Sequence, residues 1–356
     1  MPHRIAKLED SLKERGLDAY ISARPQNIRY YTGSIGGSFL IVTNDKIPLL
    51  LVASLDENVT RDQAKDCNVE TYASEGLLNK FSDRLRRSHS ILVGFDDLPL
   101  SLLSRLGKRL PEITFRQDQD VVWAQRCVKD ARELELMREA GRLANTAMEA
   151  LFGKLAVGET EHKLAAEASY AMMREGAEAH AFEFTVGSGP RSAYPHASCT
   201  GRKIGRGDLV VVDIGASYCG YCSDITRTFI SGKPDVKSLE IYEMVLRSYD
   251  AAYAAMKPGV YCREVDAVSR KIISDSGYGQ NYTHSLGHGV GLDIHEPPSV
   301  SQNSNETLIA GNVVSNEPGI YVHGFGGVRI EDTVLITKGG SRRLTDFPRD
   351  LGAVTF

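Results

Sequence analysis

The chain has 356 residues, which is enough for two domains of ordinary size, each with its own core. Its 42% hydrophobic fraction, 25% charged fraction and net charge of −4 are typical of a globular protein, and they exclude the basic stripe of a nucleic-acid binder. Residues 1–16 lack the apolar core of a signal peptide, and no apolar run approaches the ~18 residues of a membrane span. We therefore expect a cytoplasmic protein without a nucleic-acid or membrane partner.

The first part of the chain alternates between helical and strand-like patterns. An amphipathic opening over residues 5–16 precedes apolar runs at residues 19–21, 39–42, 48–52 and 91–94, with helical patterns between them. This alternation predicts a sheet covered by helices, in a domain that spans residues 1–125. Residues 121–127 look like a crossover segment, and we expect the domain boundary there.

The second part, residues 126–356, has longer helices and glycine-rich strand pairs. A helical pattern runs over residues 130–155 with Asp130 as its N-cap, and others cover residues 161–175 and 237–256. The glycine groups do not lie in strand-to-helix turns, so a dinucleotide-binding fingerprint is not expected. Six scattered cysteines do not form a disulfide framework. Cys219 and Cys222 form a CxxC, but a strand-like stretch follows it where a redox motif needs a helix.

Two aspartates stand out in the strand patterns of this second part. Asp213 ends a run of three valines, and Asp224 follows eleven residues later. A turn at Tyr218-Cys219 would place the two carboxylates directly opposite each other on a hairpin. Facing like charges destabilise a sheet, so such a pair must share a proton or a cation.

The C-terminal region repeats this feature with two glutamates. Glu317 follows a strand pattern, and Glu331 lies in a second one fourteen residues later, beyond a bend centred on Gly324. That bend can fold Glu331 back opposite Glu317. Arg329 and Glu331 share one face of their strand, while valines and isoleucines occupy the other. The sequence thus predicts two hairpins, each with a facing carboxylate pair.

A short segment between these hairpins holds three of the nine histidines: His284, His288 and His295. On a straight strand, His288 and His295 would lie ~23 Å apart and face opposite ways. The glycines at 287, 289 and 291 allow the chain to bend and bring both imidazoles into one pocket.

Four carboxylates and one imidazole form a candidate site for two divalent ions. The predicted ligands are Asp213, Asp224, His288, Glu317 and Glu331. The predominance of oxygen ligands favours Mn²⁺, and Co²⁺, Zn²⁺ and Fe²⁺ also suit the set. Two ions ~3.5–4 Å apart would activate a bridging water molecule for hydrolysis.

With these residues assembled, the chain resembles the metallopeptidase family of methionine aminopeptidase, Xaa-Pro aminopeptidase and prolidase. The similarity lies in the order of Asp213, Asp224, the Gly-His-Gly at His288, the Glu-Pro-Gly at Glu317, and Glu331. The resemblance implies an α+β fold: a C-terminal pita-bread domain with a curved antiparallel sheet and flanking helices, and a smaller α/β N-terminal domain of the creatinase type.

The family resemblance also implies roles for individual residues. Asp213 would bind one ion, Asp224 and Glu331 would bridge both, and His288 and Glu317 would complete the ligand set. Glu317 would also act as general base or proton shuttle. His196 matches the histidine that contacts the leaving amide, and His284 and His295 match those that stabilise the oxyanion and the substrate. Arg329 matches an arginine that orients a ligand carboxylate.

The substrate follows from the resemblance alone, as short proline-containing peptides cleaved at the Xaa–Pro bond by a homodimeric enzyme. Ser299 stands where some related dipeptidases have a basic residue, so the sequence leaves prolidase and aminopeptidase P activities open. Arg24, Arg29 and Arg191 are alternative partners for a substrate carboxylate. Two other interpretations remain: a creatinase-like amidinohydrolase and a non-catalytic peptide-binding relative. Both are disfavoured by the intact ligand set.

Overall fold

The computed structural model describes residues 2–44, 46–73 and 76–356. The chain divides into two compact units, Met1–Arg126 and Cys127–Phe356. In the part of the chain that the structure describes, no helix is both long and apolar enough to cross a membrane.

The first unit is a mixed sheet with helices in its connections. Its strands are β1 (Ala19–Ser22), β2 (Phe39–Thr43), β3 (Lys46–Ala53), β4 (Asn68–Tyr72), β5 (Leu92–Phe95) and β6 (Thr114–Gln117). Its helices are α1 (Pro2–Glu14), α2 (Pro25–Thr32), α3 (Glu57–Gln63), α4 (Leu77–Arg87), α5 (Leu100–Arg109) and α6 (Asp120–Arg126). The strand order is β4-β3-β2-β1-β5-β6. Strands β1, β2 and β3 pair antiparallel, whereas β4, β5 and β6 join in parallel.

The segment predicted as a crossover over residues 121–127 is largely helical and forms α6. Val121 and Val122 are both buried, and a short apolar run of this kind does not distinguish a strand from a buried helix. Asp120 in the first turn and Arg126 in the last complement the helix dipole, which favours the helical alternative.

The second unit combines longer helices with antiparallel sheets. Its helices are α7 (Ala131–Phe152), α8 (Glu161–Arg174), α9 (Val236–Ala255), α10 (Cys262–Asp275) and α11 (Leu351–Val354). Its strands are β7 (Ala179–His180), β8 (Thr185–Ser188), β9 (Leu209–Ile214), β10 (Ala216–Tyr218), β11 (Tyr221–Cys222), β12 (Ile225–Ile230), β13 (Gly287–Gly289), β14 (Glu296–Val300), β15 (Val313–Asn316), β16 (Gly319–Val322), β17 (Gly326–Arg329), β18 (Asp332–Thr337) and β19 (Gly340–Arg343).

Two sheets of this unit carry the predicted site residues. One has the order β12-β9-β8, the other has the order β14-β13-β15-β18-β19, and a β16–β17 ribbon extends the strands of the second. Buried side chains of α7, α8 and α9 pack with the first sheet and the ribbon in one large hydrophobic core. The helices therefore support the strands from behind and leave the polar strand faces for the site.

The ends of these helices follow local sequence signals, and two helices, α10 and the short α11, were not predicted. Asp130 caps α7 as expected: it accepts from the backbone N–H of Glu133, whose side chain accepts from the N–H of Asp130. The helix α10 was missed because its buried face includes the polar residues Asp266 and Ser269, which weaken the apolar periodicity.

Candidate active site

The hairpin that carries Asp213 and Asp224 differs from the predicted register. Asp213 pairs with Thr226 of β12, and on its other side with Thr185 of β8. The turn lies at Cys219-Gly220, with φ values of 48° and 81°, one residue later than expected. The prediction that Asp224 lies directly opposite Asp213 is therefore wrong. Because moving the turn by one residue shifts the register by two, the aspartates still share a face as diagonal neighbours.

Glu317 and Glu331, the second carboxylate pair, lie opposite each other, as expected from the bend centred on Gly324. Ladder β15–β18 pairs Asn316 with Asp332, and ribbon β16–β17 pairs Gly319 with Arg329. Both ladders have the same register, which places Glu317 opposite Glu331 at the junction between them.

The histidine segment forms a tight bend between β13 and β14. Gly289 pairs with Glu296, so the chain reverses its direction between His288 and His295. The rings of His288 and His295 lie 4.2 Å apart between centroids. A Cβ at Gly289 would lie 2.3 Å from the backbone oxygen of Pro297, so this segment requires glycine there.

The predicted ligands converge from these three elements. One ligand atom each from Asp224, His288 and Glu331 lies within 4.8 Å of the others. His288 Nε2 lies 3.3 Å from Glu317 Oε1 and 3.6 Å from Asp224 Oδ2. Asp213 Oδ1, Asp224 Oδ1 and Glu331 Oε1 are buried without a hydrogen-bond partner among the described residues. Buried polar atoms are almost always satisfied, and orphaned carboxylate oxygens suit divalent cations as missing partners.

Crowding of these acids changes their protonation. Burial and the charges of Glu331, Asp213 and Glu317 raise the pKa of Asp224 well above its usual value. Burial and the charges of Glu317 and Asp213 likewise raise the pKa of Glu331. Without cations, these two carboxyls therefore hold protons at a pH where exposed acids have lost them.

Glu317 and His288 behave differently from the other ligands because they face each other. Burial raises the pKa of Glu317, but the hydrogen bond and charge of His288 outweigh it and lower the pKa to about 2. Burial lowers the pKa of His288, but the same partner outweighs it and raises that pKa. In the metal-free protein this contact therefore favours a carboxylate beside an imidazolium, and a cation that binds His288 must compete with that proton.

Arg329 connects both carboxylate pairs from the end of β17. Its guanidinium is buried and donates to Asp213 Oδ2 at 2.5 Å and, through Nε, to Thr226 Oγ1 at 3.0 Å. Thr226 in turn donates to Glu331 Oε2 at 2.6 Å. Arg329 thus contacts one predicted ligand directly and a second through Thr226, as the resemblance implied for an orienting arginine.

Thr226 and Tyr321 are site residues that the sequence analysis missed. Arg329 Nη1 donates to the Tyr321 hydroxyl at 2.8 Å, and this hydroxyl lies 3.0 Å from His284 Nε2. Tyr321 folds back over Gly319, where a Cβ would lie 2.6 Å from its hydroxyl. The alternation of side chains along a strand could have indicated both residues. Thr226 lies on the same strand face as Asp224, and Tyr321 lies on the same face as Glu317.

These hydrogen bonds fix the tautomer of His284. The Tyr321 oxygen accepts from Arg329, so its proton is available to His284 Nε2, and His284 Nδ1 lies 2.7 Å from the Ser285 carbonyl oxygen. Nδ1 therefore carries the proton and Nε2 accepts. Burial lowers the pKa of His284, which keeps the ring neutral. Burial and the charge of His288 also lower the pKa of His295.

A buried ion pair supports the strand that begins after His295. Lys129 Nζ lies 2.6 Å from Glu296 Oε1, and each side chain is 1% exposed. We expect Lys129→Met to lower the free energy of unfolding by about 3–5 kcal/mol, because it removes the ammonium from a buried carboxylate. The double variant Lys129→Met/Glu296→Met should regain most of this loss, since both charges are gone. Urea denaturation measures both, and a loss below about 1 kcal/mol in the single variant would contradict the expectation.

All of the predicted site residues line one cavity of about 710 Å³. The five predicted ligands, His196, His284, His295 and Arg329 share it with the apolar side chains of Phe182, Phe184 and Ile294. His196 is exposed and lies on the segment between β8 and β9. A concave site with apolar walls and a cluster of acids at its base suits a small organic substrate.

The sequence model of metallopeptidase family M24 matches residues 135–338, which include all five predicted ligands. The chain belongs to metallopeptidase family M24. The creatinase/prolidase N-terminal domain matches residues 4–128. The pairing of these two domains confirms the predicted fold class, and M24 membership implies divalent metal ions in the cluster of acids.

Relatives with solved structures match this M24 chain over almost its whole length. The Xaa-Pro dipeptidase of Pyrococcus horikoshii is 37% identical over 353 residues, 99% of each chain, and the prolidase structure from that organism has a TM-score of 0.93. An Xaa-Pro dipeptidase structure from Bacillus anthracis is 31% identical, covers 99% of each chain and has a TM-score of 0.95. The structure of an X-Pro aminopeptidase from Thermotoga maritima is 30% identical with the same coverage, at a TM-score of 0.90.

Proposed function

We propose that this M24 enzyme hydrolyses the Xaa–Pro bond at the N-terminus of dipeptides or short peptides, with two divalent ions in the cluster of acids. The observation that carries the proposal is the set of three buried, unpartnered oxygens on Asp213, Asp224 and Glu331 beside His288. Full-length relatives named Xaa-Pro dipeptidase support the choice of substrate. The Xaa–Pro bond has no N–H, so peptidases that rely on that donor cleave it poorly.

The ligand set of the proposal is Asp213, Asp224, His288, Glu317 and Glu331. When bound, two divalent ions supply Lewis acidity that lowers the pKa of a water molecule and stabilises negative charge on the amide oxygen. The ratio of four carboxylates to one imidazole favours Mn²⁺ over thiol-seeking ions. With His288 bound to an ion, Glu317 would no longer share a proton with that imidazole, and its carboxylate would be the group that accepts a proton from the attacking water.

The remaining polar residues bind and orient the peptide in this proposal. His295 stabilises the developing oxyanion, and His196 contacts the leaving proline nitrogen. The one N–H of neutral His284 is used by the Ser285 carbonyl oxygen, so His284 contributes by holding the Tyr321 hydroxyl beside the substrate. Arg329 keeps Asp213 in place, and through Thr226 it also orients Glu331. The apolar side chains of Phe182 and Phe184 provide a surface for the substrate's side chains.

The choice between dipeptides and longer peptides depends on how a substrate carboxylate is bound. Ser299 lines the cavity, and its backbone N–H donates to the Glu306 carboxylate, so this position offers no positive charge. Arg191 donates to Glu161 and to the Ser198 carbonyl, which commits its guanidinium to the protein itself. Ser299 and Arg191 therefore supply no free positive charge for a substrate carboxylate, which leaves Arg24 and Arg29 as the alternative partners. On the evidence of Ser299 and Arg191, we expect Xaa-Pro-Yaa peptides to be cleaved as well as Xaa-Pro dipeptides.

A peptide panel with metal removal tests the proposed function. The purified protein, loaded with Mn²⁺, should cleave Xaa-Pro and Xaa-Pro-Yaa at the Xaa–Pro bond and leave Xaa-Ala peptides largely intact. A chelator should abolish the activity, and Mn²⁺ should restore it. Activity that survives complete chelation would defeat the metal assignment, and equal cleavage of Xaa-Ala would defeat the proline specificity.

We also propose a homodimer in the cytoplasm. All six cysteines are free, as in proteins of reducing compartments, which supports the location. Sedimentation analysis and cell fractionation test these two parts; a monomer at all concentrations would contradict the first.

A further inference from the structure

Glu161, in the first turn of α8, is a buried carboxylate that lies outside the cluster of acids. Glu161 is 0% exposed, and both of its oxygens accept several hydrogen bonds. Oε1 accepts from the Ser188 backbone N–H at 2.9 Å and from its hydroxyl at 2.8 Å. Oε2 accepts from the Thr200 backbone N–H at 3.0 Å and from its hydroxyl at 2.6 Å. Arg191 Nε lies 3.2 Å from Oε2.

These partners span a single segment, residues 188–200, which we call the His196 segment. Glu161 binds its first residue, its last residue and Arg191 between them. Arg191 also donates to the carbonyl oxygen of Ser198, which ties the middle of the segment to its far end. The residues that this arrangement encloses include Pro195, His196, Ser198 and Cys199, all of which line the active-site cavity. One carboxylate thus closes the loop that carries His196.

The chemistry of the partners requires a carboxylate at this position. The backbone N–H groups of Ser188 and Thr200 and the guanidinium of Arg191 can only donate. Both oxygens of the side chain must therefore accept. A glutamine has the same shape, but its amide NH₂ would face backbone N–H donors on one side or the other and leave them unsatisfied.

We propose that Glu161 is a positioning residue for catalysis, which holds His196 at the cavity by fixing both ends and the middle of the His196 segment. Arg329 Nη1 donates to the carbonyl oxygen of Pro195, so the segment is held from the cluster side as well. The proposal rests on the proposed function for its kinetic consequences, whereas the placement of His196 can be tested without turnover.

The first test uses Glu161→Gln. We expect kcat for an Xaa-Pro peptide to fall about 10- to 100-fold, because a small displacement of a group at the reacting atoms has effects of this size. The affinity for Mn²⁺, measured by titration calorimetry, should change less than about twofold, since Glu161 contacts none of the predicted ligands. Glu167→Gln on the same helix is the matched control and should keep the wild-type kcat. A Glu161→Gln variant with unchanged kcat would overturn the proposal.

A double-mutant cycle with His196→Ala separates positioning from a general structural effect. If Glu161 acts through His196, Glu161→Gln should reduce kcat in the wild-type background but not in the His196→Ala background. Additive losses in the double variant would overturn the proposal.

A second pair of variants tests the same contact if Glu161→Gln does not fold. Thr200→Val removes one of the hydrogen bonds to Glu161 with little change of shape, and Thr200→Ser should restore it. Equal kcat for these two variants would also overturn the proposal.

A readout without turnover keeps this proposal separate from the proposed function. In protein labelled with ¹⁵N in the histidine rings, the His196 resonances should shift in Glu161→Gln and not in Glu167→Gln. If no Xaa-Pro peptide is cleaved by the wild type, the proposed function fails, while this shift still supports the positioning. Unchanged His196 resonances in Glu161→Gln would overturn the positioning, whatever the activity.

Discussion

Asp224→Asn is expected to lower kcat/KM for Xaa-Pro peptides by at least ~1,000-fold, and to make the metal-free protein more stable at neutral pH. The loss of activity corresponds to about 4 kcal/mol of transition-state stabilisation, which is within what metal ions contribute. The gain in stability follows because Asp224 is buried among Glu331, Asp213 and Glu317, whose charges raise its pKa. An amide has no charge to lose and fits the metal-free site better.

The sign of the pH dependence follows from that raised pKa. An unfolded aspartate titrates near 3.8, and the folded protein holds the Asp224 proton to a higher pH. Between these values the folded state binds more protons, so the metal-free protein loses stability as pH rises above about 4. Asp224→Asn should reduce this loss. Thermal unfolding with chelator at pH 5 to 8 measures it, with the exposed Asp250→Asn on α9 as control. Identical pH dependence in Asp224→Asn and wild type would contradict the expectation.

Arg329→Lys is expected to reduce kcat/KM about 10- to 100-fold, even though it keeps the positive charge. The guanidinium donates at once to Asp213, to Thr226, to Tyr321 and to the Pro195 carbonyl oxygen. A lysine ammonium is a point charge on a flexible stem and cannot reproduce this planar fork of donors. The buried site would then hold unsatisfied partners on both carboxylate hairpins.

Steady-state kinetics and Mn²⁺ titration measure the effect of Arg329→Lys. We expect weaker Mn²⁺ binding together with the lower kcat/KM, because Asp213 and Glu331 both lose part of their orientation. Arg342→Lys on β19, which is exposed, is the matched control and should behave as the wild type. Retention of wild-type kcat/KM and Mn²⁺ affinity in Arg329→Lys would show that charge alone is sufficient at this position.

The sequence predicted the cluster of acids because charge in an apolar strand is a strong local signal. Asp213, Glu317 and Glu331 are recognisable as exceptions to strand patterning, and the bend at Gly324 places the second pair correctly. The first pair was placed wrongly because Cys219 adopts a positive φ, which non-glycine residues rarely do. No pattern in the sequence predicts a turn at Cys219-Gly220.

Partners that lie far apart in the chain were outside the reach of local patterns. The two-residue period of a strand places Thr226 on the same face as Asp224, but its hydrogen bond to Glu331, 105 residues away, depends on how the strands assemble. The pairing of Lys129 with Glu296 joins positions 167 residues apart. Glu161 belongs to the same class, because helix-starting glutamates are common and its buried state depends on the His196 segment.

The separation of the ligand-bearing strands along the chain has a consequence for the kinetics of folding. Thr226 and Glu331 are 105 residues apart, and Asp213 and Arg329 are 116 apart, so the acids come together only after both sheets have assembled. Contacts of this kind form late, and interactions absent from the transition state act on the unfolding rate. Bound cations should therefore slow unfolding and leave the folding rate almost unchanged. Metal binding would therefore increase the kinetic stability of the folded enzyme, and the chain would fold before it binds the ions.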